Sequence, residues 1–268
     1  MNRLALVDER VEANRRMWDE RVAIHVTSRF YDVDGWKAGR APWLVGPFEA
    51  EEIGDVAGKR LCHLQCHFGL DTLNFARHGA EVVGVDFSGE AIAAARALAT
   101  EVGVAGTFVQ STVEDARANV AGDFDIVYTS WGALIWLPDL SAWARTIAAL
   151  LRPGGFVYVA DQHPLTHVMQ WGDSYFATEP IFDDSSGTYA DVAAPTTNND
   201  SFEWIHTMGE IVTVLADAGL RIDFLHEHPY LVWQHAPEMV QGDDGMWRLP
   251  GDPSPLSFSL RATAGSAS

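Results

Sequence analysis

The chain has 268 residues, 47% of them hydrophobic and 21% charged, enough apolar material for the core of one large domain or two small ones. Lys and Arg number 18 against 37 Asp and Glu, a formal charge of -19, which repels nucleic acid and anionic membrane surfaces at long range and argues against both as partners. Glycine (23) and proline (12) stand near average usage, excluding collagenous and low-complexity classes.

Apolar residues recur at helical spacing over 4–26 among charges, through Leu4, Val7, Val11, Met17, Trp18 and Val22, which predicts an amphipathic N-terminal helix and no secretory leader. Residues 31–48 form an aromatic segment punctuated by Gly and Pro. The apolar run 61–66 predicts the first buried strand. Its cysteines, Cys62 and Cys66, stand four residues apart; on a strand they share a face without reaching each other, consistent with a reducing cytoplasm.

A helix over 71–77, a strand over 81–85 and a helix over 90–99 capped by Ser88 follow. Strands are expected over 107–110 and 124–129. A helix over 140–151 is expected to stop at Arg152-Pro153-Gly154-Gly155, with a fifth strand over 156–160. Five strands with helical crossovers predict a parallel, doubly wound α/β sheet.

Residues 171–201 break this rhythm and suit a hairpin or lid. Thr207 and Glu210 open a helix over 211–218, Gly219 closes it, and strands over 220–225 and 256–262 complete the chain around a loop holding Tyr230, Trp233, His235 and Trp247. No apolar run reaches the ~18 residues of a membrane span.

In open parallel sheets, ligands bind beyond the carboxyl ends of the strands. The first strand runs into His63-Leu64-Gln65-Cys66-His67-Phe68-Gly69-Leu70-Asp71, and the second ends at Asp86, an acid placed to accept both hydroxyls of a ribose. This element order, Asp86, and Leu151-Arg152-Pro153-Gly154-Gly155 before the fifth strand resemble the class I S-adenosylmethionine-dependent methyltransferases of small-molecule type. The resemblance spans roughly 59–160, and more weakly 209–225 and 255–262.

It implies a mainly parallel, doubly wound seven-stranded sheet with helices on both faces, in a single domain over 1–268. An N-terminal helical lid (1–50), a cofactor core (59–161) and substrate-side insertions (171–201 and 228–255) are expected within it. It implies S-adenosylmethionine as cofactor, S-adenosylhomocysteine as product and a small molecule as substrate. The family's acid-x-Gly-x-Gly-x-Gly loop falls on His63, Gln65, His67 and Gly69, of which only the last is glycine. Backbone at Gln65 and Gly69 is expected to approach the ligand, with His67 beside it and Asp71 meeting the amino group. Thr112, Val113 and Glu114 stand at the adenine end, Phe87 packs on the base, and Ser130 closes the fourth strand.

A nicotinamide dehydrogenase needs G-x-G-x-x-G under a pyrophosphate, and the side chains of Gln65 and His67 would crowd it. The run Cys62-His63-Leu64-Gln65-Cys66-His67 superficially resembles a haem or metal site, but alternation along a strand keeps its ligands from converging, so no metal is expected.

For the acceptor, His163, His167 and His206 are the candidate catalytic residues, since a histidine takes protons near neutral pH. Tyr31, Trp36, Trp131, Trp204 and Trp233 are candidate walls for a planar or apolar small molecule, with Trp171 and Trp247 in the same aromatic set. The expected activity is methyl transfer to an O, N or C nucleophile of a small aromatic or heterocyclic metabolite. The alternative is an S-adenosylmethionine-binding protein of this fold that cyclises, decarboxylates or only binds.

Overall fold

The computed structural model describes residues 3–40, 46–172, 174–251 and 253–265, the side chains of 3–8, 170 and 171 excepted. Helices α1 (Arg3–Thr27), α2 (Val33–Lys37) and α3 (Glu49–Ile53) precede β1 (Arg60–Leu64), α4 (Leu70–Arg77), β2 (Glu81–Asp86), α5 (Gly89–Val102) and β3 (Thr107–Gln110). Then come α6 (Ala116–Asn119), β4 (Phe124–Ser130), α7 (Leu140–Leu150), β5 (Leu151–Gln162) and α8 (Leu165–Trp171). The chain continues through β6 (Ile181–Asp183), β7 (Ser201–Glu203), α9 (Met208–Asp217), β8 (Leu220–His228), β9 (Val240–Gln241), β10 (Trp247–Arg248) and β11 (Ser257–Ala264).

Seven strands form one sheet in the order β3-β2-β1-β4-β5-β11-β8. β1 pairs β2, β2 pairs β3 and β4 pairs β5 in parallel, while β11 runs antiparallel to β5 and β8. This is the expected mainly parallel, doubly wound architecture. Its inner strands are buried along nearly their whole length, which is why they read as continuous apolar runs with no polar alternation.

Local chemistry accounts for the helix ends. The Ser88 hydroxyl accepts the Ala91 N–H at 3.0 Å, and Gly103 closes α5 with φ of 65°, a left-handed position that glycine takes without steric cost. Asp139 caps α7 through the Ala142 N–H at 2.9 Å, and Thr207 caps α9 through the Glu210 N–H at 3.1 Å.

Among the boundaries that differ from expectation, three stand out. β1 ends at Leu64, so Gln65 and Cys66 already belong to the loop. Pro153 and the two glycines after it lie inside β5, at an irregularity where the register with β4 shifts between Phe124 and Ile126. A Cβ at position 155 would stand 2.7 Å from the Phe124 carbonyl oxygen, so the close strand approach, not only the helix stop, requires glycine there. β8 extends to His228, three residues beyond the expected end.

The chain divides into two compact units, one of 1–44, 55–122 and 181–203, the other of 45–54, 123–180 and 204–268. In the first, α1 packs on α5 and on β7. The expected hairpin is the β6/β7 pair, and buried Asn14 on α1 extends it, its amide donating to the Phe202 carbonyl at 2.8 Å and accepting the Phe202 N–H at 2.7 Å. In the second, α7 and α9 pack together beside β4, β5 and β8.

Candidate active site

In the first unit the loop after β1 has a backbone that its side chains do not advertise. Gln65, His67 and Gly69 take φ values of 59°, 50° and 78°. For residues with a Cβ the left-handed region costs roughly 1–2 kcal/mol each, and such strain persists only where the surroundings fix it. Here the fixing group is Asp86, the last residue of β2. Its carboxylate accepts the His67 N–H at 2.8 Å and the Ser88 N–H at 2.9 Å. Burial pushes the Asp86 carboxyl up to about 6, against the opposing effect of these donors.

Around this cradle, His63 is buried, its Nδ1 lying 2.8 Å from the Thr72 hydroxyl, and burial lowers it to about 3. The place that holds an acid in the resembling family is thus a neutral imidazole. Asp71 opens α4, and burial raises its carboxyl to about 6. The Phe87 carbonyl accepts the Gln110 amide at 3.2 Å. Thr112 takes the Asp115 N–H at 3.3 Å, Val113 is buried and Glu114 exposed, which leaves Thr112 and Glu114 at the surface edge of the tip of β3.

The side chain of His67 points into a cluster of rings. Its Nε2 lies 2.9 Å from His25 Nδ1 on α1, and the rings of Trp18, Tyr31 and Phe68 surround it with centroids 4.8 to 5.9 Å away. Tyr31 therefore joins the first-strand loop. Trp36 does not: it is 1% exposed, donates to Asn74 at 2.6 Å and lies 3.6 Å under the Arg77 guanidinium, a packing position against α4.

In the second unit, β4 ends at buried Ser130, and Trp131 follows with φ of 40°. The Trp131 indole donates to Glu49 at 3.2 Å and stands edge-on to Trp233, ring centroids 5.8 Å apart. Trp131, Trp233 and Trp247 pack together against Leu231, Met239 and Leu256. Glu49, completely buried and also accepting the Tyr128 hydroxyl at 2.5 Å, escaped the sequence reading; an acid in a short exposed-looking helix carries no signal of its burial.

A pocket in this unit is lined by Ile135, Asp161, His167, Trp204, His206 and Phe258 among others. Asp161 ends the buried part of β5 and accepts four backbone N–H groups: Gly132, Ala133 at 3.1 Å, Leu134 at 3.0 Å and Gln162 at 2.7 Å. His206 meets the Leu137 carbonyl at 2.8 Å through Nε2 and Glu210 at 3.4 Å through Nδ1. His167 is 8% exposed, and burial lowers it to about 4.

His163 is not among the lining residues, although Gln162, Pro164 and Phe258 beside it are. Its Nδ1 accepts the Leu165 N–H at 3.1 Å and its Nε2 lies 3.0 Å from the Glu227 carboxylate. With Nδ1 an acceptor, the ring proton sits on Nε2 and is given to Glu227. Both nitrogens are engaged at 2% exposure, so the ring braces the turn into α8 against β8. The side chain of Trp171 lies outside the described residues.

Residues 62–157 match the family model of a methyltransferase domain. Over 136 residues, half of the chain, the sequence is 37% identical to the ubiquinone biosynthesis O-methyltransferase of Cronobacter sakazakii, covering 55% of that protein; the chain thus spans little more than half the length of this curated relative. Among solved structures, an S-adenosylmethionine-dependent methyltransferase from Clostridium acetobutylicum superposes with a TM-score of 0.59 at 13% identity, over 91% of this chain and 97% of that one. One from Mesorhizobium loti gives 0.55 at 21% identity, over 81% and 96%. These likenesses concern the fold.

Proposed function

We propose, for a chain that carries a methyltransferase domain on the fold of the class I S-adenosylmethionine-dependent methyltransferases, that it moves a methyl group from S-adenosylmethionine to a nucleophile of a small aromatic or heterocyclic molecule. The observation that carries the reading is the left-handed backbone at Gln65, His67 and Gly69, organised around Asp86. Both side-chain-bearing residues stand where the resembling family has glycine, and both take the left-handed backbone that glycine adopts without strain.

The donor set suits the cofactor. Asp86 is the acceptor for the ribose hydroxyls and Asp71 for the amino group. Phe87 and Val113 offer apolar surface to the base, with Thr112 and Glu114 at its polar edge. When bound, S-adenosylmethionine supplies an electrophilic methyl on a sulfonium. Methyl transfer then requires that an acceptor be held and water kept away from it.

For the acceptor we assign the pocket of Trp204, His206 and His167; the separate cluster of Trp131 and Trp233, after buried Ser130, is a second aromatic surface. His167, lowered to about 4, is neutral at pH 7 and can accept a hydrogen bond from a hydroxyl or N–H. A group so weakly basic is a poor general base, so its role is to orient the nucleophile, and methyl transfer gains mainly from proximity. An oxygen nucleophile is the first choice, because the curated relatives are O-methyltransferases. The two cysteines are buried and not bonded to each other, which supports a reducing, cytoplasmic setting.

The test is a mass-shift screen. Hydroxylated aromatic and heterocyclic compounds are incubated with enzyme and S-adenosylmethionine, and a gain of one methylene mass accompanied by S-adenosylhomocysteine is expected. Cofactor turnover without a methylated product would favour the cyclising or decarboxylating alternative on the same fold.

A further inference from the structure

His67 and His25 lie 42 positions apart in sequence and meet at 2.9 Å through Nε2 and Nδ1. His25 is completely buried, and its other nitrogen, Nε2, lies 2.6 Å from the Thr188 hydroxyl. One imidazole thus joins three segments: α1, the first-strand loop and the 181–203 segment. The Tyr31 and Tyr189 hydroxyls meet directly across the same cluster, and the Tyr189 ring stands 4.8 Å from His25.

Farther along, Glu20 on α1 accepts the Thr197 and Asn198 N–H groups at 3.0 and 2.6 Å, and Arg21 donates to the Asn198 carbonyl at 2.9 Å. Asp19 receives the Ser88 hydroxyl at 2.6 Å, at the turn that follows Asp86. α1 and 181–203 are therefore bonded to each other along their length. At the loop itself α1 is tied through His25–His67, with Val22 and Val26 packing on the cluster of Cys66 and Phe68 beneath it.

A ring at position 67 has a cost, since the residue sits at φ of 50°, where glycine would be unstrained. What the ring gives in return is contact with α1.

We propose that the His25–His67 pair is a latch that fastens α1 and the 181–203 segment over the first-strand loop and so slows exchange of the ligand held there. This rests on the cofactor reading given above, and it names two positioning residues for that site. Burial lowers both imidazoles, His25 to about 4 with Arg21 adding to the effect, so at pH 7 the latch is a hydrogen bond between neutral rings, that of His25 completely buried. Such a bond contributes more than an exposed one, because opening it strands buried donors and acceptors.

His67→Gly separates this account from one in which the ring is incidental. The substitution removes backbone strain and the latch together. If the ring were incidental, the variant would be unchanged or tighter. If it latches, hydrogen exchange over 9–27 and 181–203 rises by about tenfold and S-adenosylhomocysteine leaves about tenfold faster in stopped-flow release, the scale of one buried hydrogen bond. His25→Ala gives the same pair of changes, and the double variant adds little to either. His67→Gln, which keeps a donor within reach of His25, retains most of the protection.

Unchanged exchange in folded His67→Gly protein overturns the latch, whatever the ligand does. Faster exchange in His67→Gly, with S-adenosylhomocysteine failing to bind even the unsubstituted protein, leaves the latch standing and overturns the cofactor reading.

Discussion

Two buried aspartates, Asp86 at the end of β2 and Asp161 near the end of β5, sit in similar settings with different capacity to spare. Each steadies a loop that contains a left-handed residue with a side chain, His67 in one case and Trp131 in the other. Asp161 accepts four backbone N–H groups, two on each oxygen, which uses the roughly four acceptor positions of a carboxylate. Asp86 accepts His67 and Ser88, one on each oxygen, with the Phe87 N–H alongside, and keeps acceptor capacity. The residue type is the same and both stand at or near a strand end; the number of donors leaves Asp86 with acceptor capacity that Asp161 does not have.

Asp161→Asn should break the comparison hardest. The amide has one acceptor oxygen for four N–H groups and turns donors toward the rest, so a stability loss of about 3 kcal/mol or more is expected in urea unfolding. A loss below about 1 kcal/mol would mean that the turn after β4 does not depend on this acid.

Substitutions at two histidines sharpen the comparison. His163→Ala should cost about 1–2 kcal/mol of stability, from its bonds to Leu165 and Glu227, and leave turnover nearly unchanged. His167→Ala should leave stability nearly intact and raise KM for the methyl acceptor by about tenfold, the scale of one orienting hydrogen bond. Since His167 is lowered to about 4, the unsubstituted enzyme should show no loss of turnover from this group between about pH 6 and 8. An acid limb that disappears in His163→Ala would return the proton-transfer role to that residue.

The uneven legibility of the sequence has the same physical root. The capped helix after Ser88, the buried strands and Asp86 were readable, because apolar runs and capping side chains act within a few residues. The left-handed backbone at Gln65 and His67 was not, since those residue types rarely take it; only their alignment with the glycine places hinted at it. The engagement of His163 depends on Glu227, 64 positions away, and the latch on His25 pairs residues from separate elements. α8 was missed because residues 165–171 carry no side-chain cap at Pro164. Trp36 read as a chamber wall because a tryptophan outside the predicted strands gives no sign that α4 will cover it.

Asp86 carries the central claim, and titration of S-adenosylhomocysteine by calorimetry into the unsubstituted protein and Asp86→Ala, across about pH 5 to 8, tests it most directly. At the upper end the variant should bind more weakly by roughly 2–4 kcal/mol, the worth of a charge-assisted contact to two hydroxyls. The sign with pH follows from the raised carboxyl. Ionised Asp86 is the acceptor, so affinity is full above about 6 and falls by up to tenfold per pH unit below it. For folding alone the sign reverses: a carboxyl raised in the folded state favours stability at low pH and loses that contribution as pH rises through about 6. Asp71, also raised to about 6, contributes its own proton, so Asp86→Ala should lose one proton of slope and keep the remainder. Equal affinity in the two proteins at pH 8, with the same pH slope, would contradict the assignment of this strand tip as a cofactor site.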